Sequence, residues 1–210
     1  MIRILIADDH PIVRNGLKQI ISDEPDMLVV KDVSDAEGVF SFVQENELDV
    51  IILDISMPGT GGFEILSRLR SNNIKTPVLM LSALSEELYA SKSLKAGASG
   101  FINKESAPEE LVKAIRKVFS GGVYVSSYLA EKLAVNLKHD IEKPSHEYLS
   151  TREFQIMCMI ASGKTVSEIA KELFINVKTV STYRSRILAK MDFKNNSELT
   201  NFCIREGFVK

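Results

Sequence analysis

Asp49–Gly59 reads DVIILDISMPG. Val50, Ile51, Ile52 and Leu53 form an unbroken apolar run, Asp54 follows, and Pro58 and Gly59 close the stretch. A run rich in β-branched residues, without alternation, suits a strand covered on both faces, as in a parallel sheet. Asp54 then stands at the carboxyl end of a buried strand, the edge where open α/β sheets gather ligands and chemistry. A lone carboxylate there has a plain explanation, because polar residues often end strands. The reading turns on what else reaches the same edge.

Working outward, Ile2–Ala7 (IRILIA) is a short apolar strand that runs into Asp8, Asp9, His10 and Pro11. Pro11 opens a helix through Ile21, since a proline at the first helical position wastes no N–H. Leu28–Val30 is a weak second strand, followed by a helix over Ala36–Glu45. After the Asp54 strand, Gly61 and Gly62 lead into a helix at Phe63–Arg70. Pro77–Leu81 forms a fourth strand ending in Ser82 and Ala83, and a helix follows at Glu86–Lys95. Gly100–Asn103 is a fifth strand ending at Lys104, and Ala107 and Pro108 begin an amphipathic helix with Leu111, Val112, Ile115 and Val118 on one face. Five strands alternating with helices predict a doubly wound parallel sheet. The right-handed crossover rule puts every carboxyl end on one edge. Asp8, Asp9, Asp54, Ser82 and Lys104 are therefore expected to converge.

Three carboxylates held close together stay ionised at neutral pH only with a cation among them. With no cysteine nearby and His10 alone at hand, a hard, oxygen-preferring ion is expected, Mg²⁺ first. Lys104 adds a positive point charge and Ser82 a hydroxyl. Carboxylate nucleophile, Mg²⁺, lysine and hydroxyl match phosphoryl transfer, in which positioning and charge neutralisation do nearly all the work. Taken singly, each residue reads otherwise. Asp8 and Asp9 could cap a helix, Ser82 and Lys104 could be loop residues in solvent, and Phe101 could be core. His10 reads as a loop residue, and His139 and His146 show no ligand spacing.

The pair Asp8-Asp9, the Asp54-x-x-Met57-Pro58 turn, Ser82 and Phe101-x-x-Lys104 resemble the receiver domain of bacterial two-component response regulators. That resemblance covers about residues 1–120. It implies a flavodoxin-like strand order 2-1-3-4-5 and phosphorylation of Asp54 by a sensor histidine kinase. It further implies Mg²⁺ held by Asp9, Asp54 and the backbone carbonyl of Ser56, with Asp8 assisting through water. Ser82 and Lys104 would contact the phosphoryl oxygens, and Ser82 and Phe101 would be the switch pair, the ring turning inward on activation. Two positions depart from the usual pattern: Glu105 follows the lysine where proline is common, and Gly61 stands where Asp or Asn is common.

Composition agrees with an ordinary globular protein: 210 residues, 45% hydrophobic and 26% charged, enough for two modest domains. No apolar run approaches the roughly 20 residues of a membrane span, and Met1–Ala7 lacks a signal-peptide pattern, so a cytoplasmic protein without membrane partners is expected. Cys158 and Cys203 fall in apolar helical stretches and read as reduced, buried hydrophobes. Residues 1–145 carry 16 Lys+Arg against 21 Asp+Glu, a balance of −5, and residues 146–210 carry 10 against 7, a balance of +3. An acidic front and a basic rear make nucleic acid a candidate partner for the rear.

Gly121 and Gly122 stop the fifth helix. The expected division is a first domain over 1–121, a linker over 122–146 with a short helix at Tyr128–Leu137, and a second domain over 147–210. The second domain reads as helical throughout. Ser150-Thr-Arg-Glu153 and Thr165-Val-Ser-Glu168 have the capping-box form. Asn176 can cap a longer helix at Val177–Met191, which gives a helix-turn-helix. Val180, Ile187, Leu188 and Met191 share an inward face, leaving Ser181, Thr182, Arg184, Ser185 and Arg186 mainly outward. Small hydroxyl residues flanked by arginines suit a major groove, and a solvated amphipathic helix is the plainer alternative.

The pattern Leu149-Ser-Thr-Arg-Glu153, Gly163, Glu168-Ile-Ala170, Leu173-Phe-Ile175, Lys178-Thr-Val180 and Arg184-x-Arg186-Ile, with Lys190, is similar to the LuxR-type domain of the NarL/FixJ class. The resemblance implies that Val177–Met191 reads double-stranded DNA through Lys178, Thr179, Ser181, Thr182, Arg184, Ser185, Arg186 and Lys190. Ser197–Arg205 would be a last helix able to pair two copies. Together the two halves imply a transcription regulator switched by phosphorylation at Asp54 that dimerises on its operator, with RNA polymerase a further candidate partner. It would not be an enzyme beyond its own Mg²⁺-dependent phosphorylation and dephosphorylation. An aspartyl phosphatase of the haloacid-dehalogenase type would need an Asp where Ser56 stands. A binding module working without phosphorylation is the other rival.

Overall fold

The computed structural model describes residues 1–83, 86–127, 129–130 and 149–209. The chain falls into two compact units that divide between residues 134 and 135.

The first unit alternates β1 (Ile2–Ala7), α1 (Pro11–Ser22), β2 (Met27–Val33), α2 (Ala36–Glu45), β3 (Val50–Asp54), α3 (Gly62–Ser71), β4 (Val78–Ser82), α4 (Glu86–Lys95), β5 (Gly100–Asn103) and α5 (Ala107–Phe119). The five strands form one parallel sheet in the order β2-β1-β3-β4-β5. All five residues of β3 and all five of β4 are buried, as unbroken apolar runs require of strands covered on both faces. On one face Ile4, Ile6, Ile52, Leu79 and Leu81 join Leu17 and Ile21 of α1 and Leu111, Ile115 and Val118 of α5 in a single core. Edge strand β2 is longer than its sequence suggested. Only its ends, Met27 and Val33, are buried, and Leu28 stays exposed.

Beyond α5 the chain does not leave the sheet. The Tyr124 N–H donates to Ser99 O at 3.0 Å and the Phe101 N–H donates to Tyr124 O at 3.1 Å, a parallel bridge beside Gly100. Gly100 permits this approach, since a Cβ there would lie 2.8 Å from Tyr124 O. The Ser126 N–H donates to Glu86 Oε1 of α4. The segment expected to be a linker from 122 thus begins with residues paired to β5. The expected helix Tyr128–Leu137 lies outside the described residues except for Leu129 and Ala130, as do His139 and His146.

The second unit holds α6 (Thr151–Ala161), α7 (Val166–Glu172), α8 (Val177–Met191) and α9 (Asn196–Arg205). Ser150–Glu153 and Thr165–Glu168 form both expected capping boxes, and Asn176 caps α8 by accepting from the Lys178 N–H at 2.8 Å. Phe154, Ile156, Ile169, Val180, Ile187, Leu199 and Cys203 are each buried, and the rings of Phe154, Phe202 and Phe208 meet edge to face. Cys203 is buried and Cys158 half-buried, and the two are not joined in a disulfide. No helix among the described residues is long and apolar enough to cross a membrane.

Candidate functional site

Sheet register assembles the first site. Ala7 pairs with Leu53, so Asp8, one step past β1, arrives beside Asp54 at the end of β3. Asp54 pairs with Leu81 and Ser82 with Asn103, which carries the same edge across β4 to β5. There the Lys104 N–H donates to Ser82 O at 2.8 Å. Asp8, Asp54 and Ser82 are fully buried.

The lysine ties the edge together. Lys104 Nζ lies 2.7 Å from Asp8 Oδ2 and 3.0 Å from Asp54 Oδ2. Asp54 Oδ1 is buried and accepts no hydrogen bond from a described residue. Burial pushes the Asp54 carboxyl above its ordinary value, with Lys104 pulling it down and Asp8 pushing it further up. Burial pulls the Lys104 ammonium down, but Asp54 and Asp8 outweigh it and hold it above its usual range. Ser56 is half-buried in the turn after β3. This turn is pinned by the Ile55 N–H to Leu81 O and the Gly62 N–H to Ile55 O. Gly62 is indispensable to it, because a Cβ there would sit 2.1 Å from Asp54 O.

One donor atom from each of Asp8, Asp9, His10 and Asp54 falls within 4.8 Å of the others. An oxygen-rich cluster with a buried carboxylate oxygen lacking a hydrogen bond fits a divalent cation of the Mg²⁺ type. His10 had read as a loop residue. Its side chain is 60% exposed, yet Nδ1 lies 2.7 Å from Asp9 Oδ1 and 3.3 Å from Asp8 Oδ1. Arg14 was not singled out by sequence. Its guanidinium donates to Asp8 O at 2.6 Å and to Asp32 Oδ2 at 3.0 Å, bracing the loop from α1. Phe101 is fully buried.

The second candidate set lies on α8. Lys178, Thr179, Ser181, Thr182, Ser185 and Arg186 are exposed. Ser181, Thr182 and Ser185 each return their hydroxyl proton to a carbonyl four residues back, so their oxygens face outward mainly as acceptors. Arg184 and Lys190 also have partners within the second unit. Arg184 is half-buried and donates to Asn196 Oδ1 of α9 at 2.7 Å. Lys190 Nζ lies 2.7 Å from the buried Glu153 carboxylate. Glu153 thus serves the capping box of α6 and anchors α8. Burial pushes its carboxyl up, but Lys190 and the Ser150 N–H outweigh that and hold it below the usual range.

Comparison with known proteins finds two family models in this chain. The response regulator receiver domain matches residues 4–116, and the luxR family of bacterial regulatory proteins matches residues 147–203. The chain is 37% identical over 209 residues to the response regulator UvrY of Escherichia coli (strain K12), covering 99% of this chain and 95% of that protein. It is 34% identical over 210 residues to the response regulator GacA of Pseudomonas aeruginosa, covering 100% and 98%. Among solved structures, RcsB from Salmonella enterica serovar Typhimurium, bound to promoter rprA in the presence of phosphomimetic BeF3-, superposes with a TM-score of 0.67 at 26% identity, covering 96% of this chain and 97% of that one.

Proposed function

Since the chain belongs to the NarL/FixJ class of two-component response regulators, in which a receiver domain is joined to a LuxR-type DNA-binding domain, we propose that Asp54 is its phosphoacceptor and that phosphorylation controls DNA binding by α8. The observation that carries the reading is the single lysine bridging two fully buried carboxylates at one sheet edge. A sensor histidine kinase supplies the phosphoryl group. Asp9, Asp54 and the backbone carbonyl of Ser56 hold Mg²⁺, with Asp8 assisting through water. When bound, the ion would supply positive charge against the oxygens of the incoming group. Asp54 attacks phosphorus as the carboxylate, forming an acyl phosphate as the P–N bond to the kinase histidine breaks and its imidazole leaves; Lys104 stays close enough to exchange a carboxylate partner for a phosphoryl oxygen, and Ser82 offers its hydroxyl from the next strand end.

Adding charge beside Lys104 and Ser82 biases a two-state element built on Ser82 and Phe101. Carrying a population from 1:99 to 99:1 takes about 5.5 kcal/mol of differential stabilisation. The phosphorylated form pairs through Asn196–Arg205 and offers two copies of α8 to half-sites about one duplex turn apart. Lys178, Thr179, Ser181, Thr182, Ser185 and Arg186 face the groove, while Arg184 and Lys190 contribute from its flank. DNA contact is supported by the solved complex of RcsB with a promoter.

Acetyl phosphate with Mg²⁺ tests this. The wild-type protein should be labelled, Asp54→Asn should not, and labelled protein should shift operator DNA at lower concentration and sediment as a dimer. Labelling that survives Asp54→Asn, or identical affinity and oligomeric state with and without donor, would overturn the reading.

A further inference from the structure

We propose that Glu86, the first residue of α4, is a releasable latch on the chain leaving the receiver, capping the helical turn that begins at Ser127 until Asp54 is phosphorylated. The proposal rests on the reading of Asp54 as the phosphoacceptor. Ser126 occupies the cap position of that turn. Its Oγ accepts from the Leu129 N–H at 3.2 Å, and its carbonyl accepts from the Ala130 N–H at 3.0 Å. In a complete capping box, the third helical residue returns a carboxylate to the N–H of the cap. Both boxes of the second unit draw that carboxylate from their own helix. Here Leu129 holds the place and has none to give. Glu86 Oε1 supplies it from α4, accepting from the Ser126 N–H at 3.2 Å across 40 positions of sequence.

The two ends of this strap are held differently. Tyr124 is bonded through its backbone to Ser99 and Phe101. Its phenol, pushed up to about 12 by burial and by Glu110, keeps its proton and donates to Glu110. Glu110 in turn accepts from Ser106 Oγ at 3.0 Å, two residues past Lys104. The Ser126 end rests instead on a carboxylate four positions beyond Ser82. The strap thus meets both residues of the proposed switch, Phe101 through its N–H and Ser82 through the start of α4. A Ser82 hydroxyl drawn toward a phosphoryl oxygen pulls on that start. A hydrogen bond already at 3.2 Å is lost once its partners part by roughly another 0.5 Å. The Tyr124 end, tied at backbone and ring, stays on the sheet while the turn at Ser127 loses its cap.

Amide hydrogen exchange on the full chain, followed by NMR at Ser126, Leu129 and Ala130 with and without BeF3⁻ and Mg²⁺, tests the latch. In the wild type these amides should exchange about fivefold faster with BeF3⁻, the effect of losing a cap. Glu86→Ala should exchange at the fast rate in both conditions, and without BeF3⁻ it should bind operator DNA more tightly than the wild type. Glu86→Gln keeps an acceptor oxygen, so it should follow the wild type, and a match to Glu86→Ala would overturn capping as the cause. Wild-type protection retained in Glu86→Ala would overturn the latch, and unchanged operator affinity in that variant would overturn its link to output. The reading of Asp54 is scored separately, by labelling with acetyl phosphate. If the wild type is labelled and Asp54→Asn is not, but exchange at the three amides ignores BeF3⁻, the latch alone falls. If labelling itself fails, both fall.

Discussion

Lys104 Nζ stands 3.0 Å from Asp54 Oδ2, reaching from the end of β5 to the end of β3 across the intervening β4. The same ammonium serves Asp8, so one positive charge faces two buried negative ones. Asp54→Asn removes the surplus negative charge and leaves the Asp8–Lys104 pair whole. We expect it to stabilise the metal-free receiver at neutral pH. The sign follows from the raised Asp54 value: ionising this carboxyl costs stability, and the cost appears as pH rises through the folded-state value. The stability gap between Asp54→Asn and wild type should therefore close below the ordinary carboxyl value of 3.8 and open above the raised one. Thermal melts across that range, without divalent ions, check it.

Lys104→Ala should act in the opposite direction. It leaves Asp8 and Asp54 buried without their common counter-charge, a loss of about 3–5 kcal/mol. Mg²⁺ should recover part of this and should raise the melting temperature more in the variant than in the wild type. The acid limb of labelling by acetyl phosphate should also move to higher pH, because the main opposing influence on the Asp54 carboxyl is gone.

Gly62→Ala introduces a Cβ 2.1 Å from the backbone oxygen of Asp54. Backbone cannot yield as a flexible side chain can, so the turn carrying Ser56 must shift. The expected cost is about 3 kcal/mol or more, with loss of labelling at Asp54. Wild-type stability in the melt of Gly62→Ala would contradict this packing.

Lys190→Ala and Arg186→Ala should separate support from recognition. Lys190→Ala strands the buried Glu153 carboxylate and should destabilise the second unit by about 1–3 kcal/mol. Because the Glu153 value is lowered, the stability it confers is present above its unfolded value and lost as pH falls through the folded one. Arg186 is exposed, so Arg186→Ala should leave the melt alone, weaken binding across DNA sequences and reduce the salt slope by about 1. Fluorescence anisotropy at several salt concentrations distinguishes the two.

The parts read correctly from sequence were those with periodic or punctuated signals. Val50–Leu53 announced a doubly covered strand, Pro11 a helix start, and Ser150–Glu153 a capping box, because each is a local matter of covering, φ or orphan N–H groups. Convergence of Asp8, Asp54, Ser82 and Lys104 followed from crossover handedness. What escaped was pairing between residues far apart and without rhythm. The pairing of Lys190 with Glu153 spans 37 positions. Arg14 carried no motif at all, and His10, a loop residue as read, also brings its ring against two carboxylates. Gly62 read as a helix opener, when the reason for glycine is the nearby carbonyl of Asp54.

Tyr124 lends the five-stranded sheet a sixth member in all but name, borrowed from the chain that follows α5. Cutting the gene at Gly121 to obtain a lone receiver would strip that neighbour away. The Phe101 amide would then look onto bare solvent along an open rim, and such rims invite other molecules to zip onto them. Fragments meant for crystallography or kinase assays should therefore retain the chain through Ala130, and clumping in the shorter version would be a manufacturing fault and not a property of the switch.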